Sequence, residues 1–196
     1  GSLHLGIIYK KTKRPTLEAY ADASLGTGDH FRSISGWFLT FSGGLIMARS
    51  KRQNCTALSS CEAEIVSACS CAMEVIHKRR LLGELGFDQG PPTAIYQDNQ
   101  ASVKLTEKRG LAHGRSKHFS VKLSFMVGNP NFRLEWIPGT DMAADVLTKP
   151  LSQAAFKKHA ETMMGDNSWG EGAEARHERQ WGTVDQPEAE EEKWDD

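Results

Sequence analysis

The chain lacks any long apolar stretch. A helix needs about eighteen consecutive apolar residues to span a membrane, and no part of this sequence provides them. The opening residues also lack the charged, apolar and cleavage-site regions of a secretory signal, and Gly1-Ser2, in place of an initiating Met, is typical of a cloning remnant. We therefore expect an intracellular protein without a membrane partner, cut from a longer chain.

Cysteine is scarce and confined to one place. The four cysteines form no Cys-x-x-Cys pair and have no second cluster elsewhere; they are Cys55, Cys61, Cys69 and Cys71. This spacing argues against a zinc module or a disulfide framework. We expect reduced, buried thiols that act as small apolar residues in a reducing compartment.

Net charge is also nearly absent, at −1 over 196 residues, but the charges are unevenly distributed. From Asp166 onward there are eleven acidic and three basic residues, which leaves residues 1–165 with a net charge of about +7. A basic body suits a polyanionic partner, although a merely solvated surface would carry the same charge.

One globular domain accounts for most of the chain, because 39% hydrophobic and 25% charged residues suit a domain of up to about 150 residues. We place this domain at 17–165, after a segment 1–16 that holds the cloning remnant and a connecting region. Residues 166–196 combine Gly, Glu, Asp and Pro with scattered Trp, a composition that favours disorder.

Alternating, aromatic-rich segments predict the strands. A short strand is expected at 5–10 (LGIIYK), followed by three antiparallel strands, LEAYADAS, ISGWFLTF and LIMARS, with a hairpin turn at Gly43-Gly44. TAIYQDN and FRLEWIP predict two more strands.

Apolar residues at helical spacing predict a long helix from Thr56 to Gly86. Further helices are expected in ASVKLTE, HGRSKHFSVKLSFMV and SQAAFKKHAETMM, and GTDMAADVLT predicts a loop with a short helix. The strand, helix, strand order after Gly86 implies parallel pairing within a mixed sheet.

Four carboxylates occupy apolar or small-residue surroundings on these elements: Asp22, Glu64, Asp98 and Asp145. Buried carboxylates that converge without a nearby Lys or Arg repel each other unless a cation neutralises them. Hard oxygen ligands suit Mg²⁺ or Mn²⁺, and two such ions about 4 Å apart can hydrolyse a phosphodiester. Singly, each Asp at a strand end is more typical of a cap or turn.

Periodicity leaves two assignments open. Glu62 and Glu64 lie at nearly equal angles on either side of the apolar stripe of the long helix. Asp141 and Asp145, four residues apart, would share one helical face.

The motifs, taken in order, resemble a known family. YADAS, RSISGW, ALSSCEAEIVSA, IYQDNQASVKL, GRSKHF and LEWIPGTDMAADVLTKPL are similar to successive motifs of the ribonuclease H domain in copia-type retrotransposon Pol polyproteins, over roughly Leu17 to Leu151. The resemblance implies an α/β, ribonuclease H-like fold: a five-stranded mixed sheet, three antiparallel strands then parallel strands, flanked by helices. It also favours Glu64 over Glu62 and Asp145 over Asp141, and implies that Asp22, Glu64, Asp98 and Asp145 are the catalytic, metal-binding acids.

The same resemblance implies an activity and its partners. We expect an endonuclease that uses two Mg²⁺ or Mn²⁺ ions to cut the RNA strand of RNA/DNA hybrids during reverse transcription. The reverse transcriptase region of the same polyprotein would precede it, in a cytoplasmic particle or the nucleus of a host cell.

Two departures from related enzymes stand out. Asp22 continues as Ala23-Ser24-Leu25-Gly26 where copia-type domains commonly have Trp-Ala-Gly, so the neighbouring loop differs. The His that cellular ribonucleases H place before the last Asp has no counterpart in IPGTDMAAD.

Candidate substrate contacts follow from the same motifs, and are Ser59, Ser60, Asn99, Gln100, Arg115, Lys117 and His118. The serines and amides could touch sugar or base edges, and the basic residues could hold phosphates. Helix capping explains Ser59 and Asn99 equally well, and His118 could tether a loop.

Two rival functions remain. A transposase or integrase would place Glu last in its acidic set, whereas here Glu64 comes second. A catalytically inactive or domesticated module that binds nucleic acid or protein would need none of the four acids.

Overall fold

A five-stranded mixed sheet forms the centre of the molecule. The structure, a computed structural model, describes residues 6–26, 31–107 and 117–165. The strands are β1 (Leu17–Ser24), β2 (Ile34–Phe41), β3 (Gly44–Arg52), β4 (Thr93–Gln97) and β5 (Phe132–Trp136). Their spatial order is β3-β2-β1-β4-β5, with β1, β2 and β3 antiparallel and β4 and β5 parallel to β1. The predicted α/β class and strand arrangement are therefore confirmed.

Helices flank this sheet. They are α1 (Ser60–Glu84), α2 (Gln100–Glu107), α3 (Lys117–Met126) and α4 (Gln153–Met164), with two short 3₁₀ helices at Gly139–Asp141 and Ala143–Leu147. The long helix begins four residues later than its apolar pattern predicted, because Ser59 caps it: its hydroxyl accepts a hydrogen bond from the Glu62 amide. Among the described residues no helix is both long and apolar enough to cross a membrane.

The two faces of the sheet are buried by different elements. Alternate residues of a strand point to opposite faces, so Ala21 and Trp37 join the core formed with α1, around Ile65. Tyr20 and Phe38 stack with ring centroids 4.7 Å apart on the other face, against the second 3₁₀ helix and α4. Asp22, two residues after Tyr20, faces the same side at the carboxyl end of β1.

Two predicted elements differ from the structure. The described part of the predicted strand 5–10 is not in the sheet, although Ile8 N–H donates to the Met164 carbonyl and Lys10 N–H to the Ser42 carbonyl. The predicted short helix in GTDMAADVLT is two 3₁₀ helices separated by Met142, which has an extended ψ of 87°. The domain bounds 17–165 stay a prediction, and residues 166–196 lie outside the described part of the chain.

The cysteines are partly as expected. All four are free, and Cys69 and Cys71 are buried, but Cys55 is exposed and Cys61 half-buried. Burial raises the pKa of both buried thiols, which keeps them protonated.

Candidate active site

Three of the predicted acids meet at one edge of the sheet. Asp22 near the end of β1, Asp98 directly after β4 and Asp145 in the second 3₁₀ helix offer carboxylate oxygens that all lie within 4.8 Å of one another. The strands place the first two, because β1 and β4 are parallel neighbours whose carboxyl ends adjoin. We call Asp22, Asp98 and Asp145 the acidic cluster.

Glu64 joins this cluster from α1. Its buried carboxyl group hydrogen-bonds the Asp22 carboxyl and accepts the Ala23 backbone N–H. Burial, together with the charges of Asp22 and Asp98, raises its pKa to about 9. The structure therefore brings all four predicted acids together, although they are far apart in the sequence.

The carboxylates of the acidic cluster repel one another. Burial and the Asp22 carboxylate raise the pKa of Asp98. Burial also raises the pKa of Asp145 to about 6, partly offset by Lys149 and reinforced by Asp22. Upward shifts from desolvation and like charge are expected where carboxylates are crowded without enough positive charge.

Lys149 supplies part of that positive charge, which corrects the expectation that no Lys or Arg lies near. Its ammonium lies 2.9 Å from Asp145 Oδ1 and 3.9 Å from Asp22 Oδ2. Although partial burial lowers the pKa of Lys149, the neighbouring carboxylates raise it by more. This contact holds the pKa of the Asp145 carboxyl below the value that burial alone would give.

Thr148 fixes the orientation of Asp22. Its hydroxyl donates a hydrogen bond to Asp22 Oδ2. The Thr148 hydroxyl oxygen also lies 3.3 Å from the Asp145 carbonyl oxygen. A Cβ placed on Gly36, the β2 partner of Asp22, would lie 2.6 Å from Thr148 Cγ2. Only glycine lets β2 approach this closely, so Gly36 is part of the framework of the site.

Gln97 positions Glu64. This fully buried residue ends β4, and its amide nitrogen donates to Glu64 Oε2 at 3.0 Å and to the Glu64 carbonyl at 3.1 Å. The Ser102 hydroxyl donates to Gln97 Oε1 at 2.8 Å, which fixes the amide orientation. Sequence reasoning missed Gln97, Thr148 and Lys149, although all three adjoin predicted acids within the quoted motifs.

The two fallback acids have other partners. The Glu62 carboxylate accepts the Leu58 backbone N–H at 2.9 Å, so Glu62 and Ser59 cap α1 reciprocally. Asp141 is exposed and pairs with Lys158 at 2.6 Å. The idea that Asp141 and Asp145 share a helical face was wrong, because no continuous helix joins them.

Comparison with known proteins finds relatives of this chain among retrotransposon Pol polyproteins. The chain is 36% identical over 147 residues to the retrovirus-related Pol polyprotein from transposon TNT 1-94 of Nicotiana tabacum, a match that covers 73% of this chain. It is 34% identical over 164 residues to the Pol polyprotein from transposon RE1 of Arabidopsis thaliana, covering 82% of this chain. The chain belongs to the copia-type Pol polyprotein family, as a ribonuclease H-like domain. The family expected from the motifs is thereby confirmed, and the match spans 11% of each of these relatives.

Solved structures show a more distant likeness. Ribonuclease H1 from Halobacterium salinarum aligns over 68% of this chain and 94% of its own, with 18% identity and a TM-score of 0.45. LC11-RNase H1, solved in complex with an RNA/DNA hybrid, aligns over the same shares with 16% identity and a TM-score of 0.46. No family model matches the chain.

The predicted substrate contacts of this ribonuclease H-like domain are only partly described. Ser59 and Asn99 act as helix caps, Asn99 Oδ1 accepting the Ser102 N–H, while Ser60 and Gln100 are exposed first residues of α1 and α2. Arg115 lies outside the described residues, and Lys117 and His118 begin α3 but their side chains lie outside the description. Substrate contact at all seven positions stays a prediction.

Proposed function

We propose that this domain is an endonuclease that hydrolyses the RNA strand of RNA/DNA hybrids with two bound Mg²⁺ or Mn²⁺ ions. In this proposal it acts during retroelement reverse transcription, beside the reverse transcriptase region of its polyprotein and inside the host cell. The observation that carries the proposal is the convergence of Asp22, Asp98 and Asp145 within 4.8 Å, with Glu64 against Asp22.

The residues present fit divalent cations. Glu64 and the acidic cluster bring four carboxylates together with one ammonium among the described residues, so the fully ionised site has a deficit of positive charge. Buried Asp145 Oδ1 has the Lys149 ammonium as its partner, and among the described residues that one cation does not balance the four carboxylates. Carboxylate oxygens are what Mg²⁺ and Mn²⁺ prefer, and bound in a pair they would activate water and stabilise a leaving oxygen.

The chain's own groups prepare the site for such ions. Thr148 orients Asp22 through its hydroxyl, and Gln97 orients Glu64 through its amide. Supporting hydrogen bonds of this kind hold ligand carboxylates in place and are part of how a metal site is built. The Glu64 carboxyl group, protonated at neutral pH without metal, would release its proton on metal binding.

The decisive experiment is cleavage of a hybrid labelled on its RNA strand, in Mg²⁺, by the parent and by Asp98→Asn. We expect RNA fragments from the parent and a loss of at least about a hundredfold in rate for the variant, since one ligand is lost at the centre of the chemistry. Asp141→Asn is the matched control, because the same substitution removes an exposed carboxylate outside the cluster. We expect it to cleave like the parent.

Other outcomes would change the assignment. A parent that binds the hybrid but leaves it whole in both Mg²⁺ and Mn²⁺ would make the domain a binding module. Nicking or joining of duplex DNA would favour a transposase. Equal losses in Asp98→Asn and Asp141→Asn would show that the cluster is not the catalytic centre.

A further inference from the structure

Asp98 differs from the other three acids in how its backbone is held. The others lie in β1, in α1 and in the second 3₁₀ helix, whereas Asp98 lies in the two-residue connection between β4 and α2. A residue inside a strand or a helix is fixed by the regular hydrogen bonds of that element. The position of the Asp98 carboxylate therefore depends on the contacts that this short connection makes.

The carbonyl groups around Asp98 are bound from three directions. The carbonyl before it accepts the Ile137 backbone N–H at 2.9 Å, and the carbonyl after it accepts the Ser102 hydroxyl at 2.7 Å. The Asp98 carbonyl itself accepts the indole N–H of Trp136 at 3.1 Å. The Trp136 side chain thus joins the backbone of Asp98 directly to β5.

The location of Trp136 explains why this contact forms. Trp136 ends β5 and pairs with Gln97 of the parallel strand β4, so it lies beside the residue that precedes Asp98. An indole has one N–H donor and no acceptor, and here the donor binds the Asp98 carbonyl although the side chain is 46% exposed. Because a half-exposed indole can donate to water instead, satisfying the indole does not by itself require this contact.

The chain after Trp136 also approaches the side chain of Asp98. A Cβ placed on Gly139 would lie 3.3 Å from Asp98 Oδ2, which is tighter than ordinary van der Waals contact. The Gly139 backbone therefore passes directly beside the carboxylate. Residues 136–139 contact Asp98 on both sides, at its carbonyl and at its carboxylate.

We propose that Trp136 is a positioning residue for Asp98, whose indole N–H holds the Asp98 backbone so that the carboxylate keeps its place in the acidic cluster. Repulsion between carboxylates within 4.8 Å of one another opposes that placement. Ligands that are held in place before binding lose less conformational entropy when the ion binds. This inference rests on the proposed function, because it takes the acidic cluster as a metal site.

A purely structural role is the alternative. β5 is an edge strand and packs against α2, so the Trp136 ring at its end contributes buried area. That role predicts a lower Tm when the ring is made smaller. It predicts no difference in metal affinity between a replacement that keeps an N–H donor and one that does not.

The test separates the N–H from the ring. Trp136→Phe keeps an aromatic ring and removes the donor. Trp136→His loses the larger ring and keeps a donor, because Cγ, Cδ2 and Nε2 of histidine can take the places of Cγ, Cδ1 and Nε1 of the indole. At pH 8 an ordinary imidazole is neutral, so this variant adds no positive charge. Mn²⁺ affinity is measured by titration calorimetry without nucleic acid.

Tyr9→Phe is the matched control. Tyr9 is 49% exposed, and its hydroxyl donates to the Leu45 carbonyl at 2.8 Å, so this variant also removes one side-chain donor from a backbone carbonyl. Tyr9 lies against Gly44 at the start of β3, at the end of the sheet opposite the acidic cluster.

We expect Trp136→Phe to weaken Mn²⁺ binding by about tenfold, the lower end of what the loss of a supporting contact costs a metal site. Trp136→His should recover most of that loss, and Tyr9→Phe should bind Mn²⁺ like the parent. Thermal unfolding checks that each variant is folded during the titration. Gly139→Ala tests Asp98 from the carboxylate side, and it should also weaken Mn²⁺ binding because the added methyl group crowds Asp98 Oδ2.

Two results would overturn the positioning role: Mn²⁺ binding by Trp136→Phe that equals the parent's, or a loss in Trp136→His as large as that in Trp136→Phe. An equal loss in Tyr9→Phe would also overturn it, since the effect would then be one of general stability. Cleavage of the hybrid by the parent is measured separately. A parent that never cuts, together with the expected order of Mn²⁺ affinities, refutes the nuclease alone. A parent that cuts, together with normal Mn²⁺ binding by Trp136→Phe, refutes the positioning role alone.

Discussion

Gly36→Ala tests whether the close contact between β2 and the second 3₁₀ helix holds the acidic cluster together. The added Cβ would lie 2.6 Å from Thr148 Cγ2, 2.7 Å from Leu147 Cβ and 3.3 Å from the Ala144 carbonyl oxygen. Carbon atoms pack best at about 3.5 to 4.0 Å, so two contacts are about 1 Å too short. Either β2 or the 3₁₀ helix has to move.

Forced repacking of this kind costs about 1 to 3 kcal/mol, out of a total of about 5 to 15 kcal/mol for a folded domain. For a domain of this size each kcal/mol lowers the Tm by about 2 to 4 °C, so a central value of about 2 kcal/mol predicts a loss of about 4 to 8 °C. Because Thr148 is displaced from Asp22, Mn²⁺ affinity should fall as well.

Gly83→Ala is the matched control. Gly83 lies in α1, and a Cβ there meets nothing within 4 Å. Alanine costs less backbone entropy than glycine within a helix, so this variant should gain about 0.5 to 1 kcal/mol. Urea and thermal unfolding followed by circular dichroism measure both. A Gly36→Ala protein as stable as the parent, with unchanged Mn²⁺ affinity, would refute the reasoning.

Two further predictions concern the charges of the cluster. Lys149→Met should tighten Mn²⁺ binding, measured by titration calorimetry, by about tenfold, because the ammonium that competes for the carboxylates is gone. Lys158→Met removes an exposed ion pair instead and should leave the Mn²⁺ affinity unchanged. Weaker Mn²⁺ binding by Lys149→Met would contradict this competition. The second prediction is a pH dependence: the pKa of Glu64 is raised to about 9 in the folded chain. The metal-free folded state therefore holds more protons than the unfolded state between about pH 4.5 and 9, and its stability falls as the pH rises through this window. The urea midpoint of the parent should fall over this pH range, and it should fall less for Glu64→Gln or with saturating Mg²⁺. A parent that becomes more stable as the pH rises over the same range would contradict the prediction.

Much of the sheet could be predicted because its sequence periods are simple. β1 and β2 alternate or run apolar between clear turns, and Ser42-Gly43 turns the chain with positive φ at both residues. The motif around Asp22 lay in a predicted strand, and parallel pairing of β4 with β1 then brought Asp98, at the end of its own predicted strand, beside it. For these two acids, the resemblance and the strand pattern pointed to the same place.

The region after β5 could not be predicted in the same way. Helical periodicity assumes one continuous helix, but Met142 separates two 3₁₀ helices, one ending at Asp141 and the other containing Asp145. A 3₁₀ helix also has 3.0 residues per turn, so its side chains point in other directions than an α-helical pattern predicts. The positions of Thr148 and Lys149 depend on that local geometry. Their contacts with Asp22, 126 residues earlier than Thr148, leave no periodic trace in the sequence.

The hydrogen bonds that tie residues 8–10 to the rest of the molecule have a consequence for how this domain is joined to others. Ile8 N–H donates to the Met164 carbonyl, and Gly165 packs against the carbonyls of Ile8 and Gly43, at the start of β1 and far from its acidic end. Ile8 and Gly165 therefore lie side by side, at the end of the sheet opposite the acidic cluster. A polypeptide joined to the domain at either of these two residues would therefore start far from the four acids.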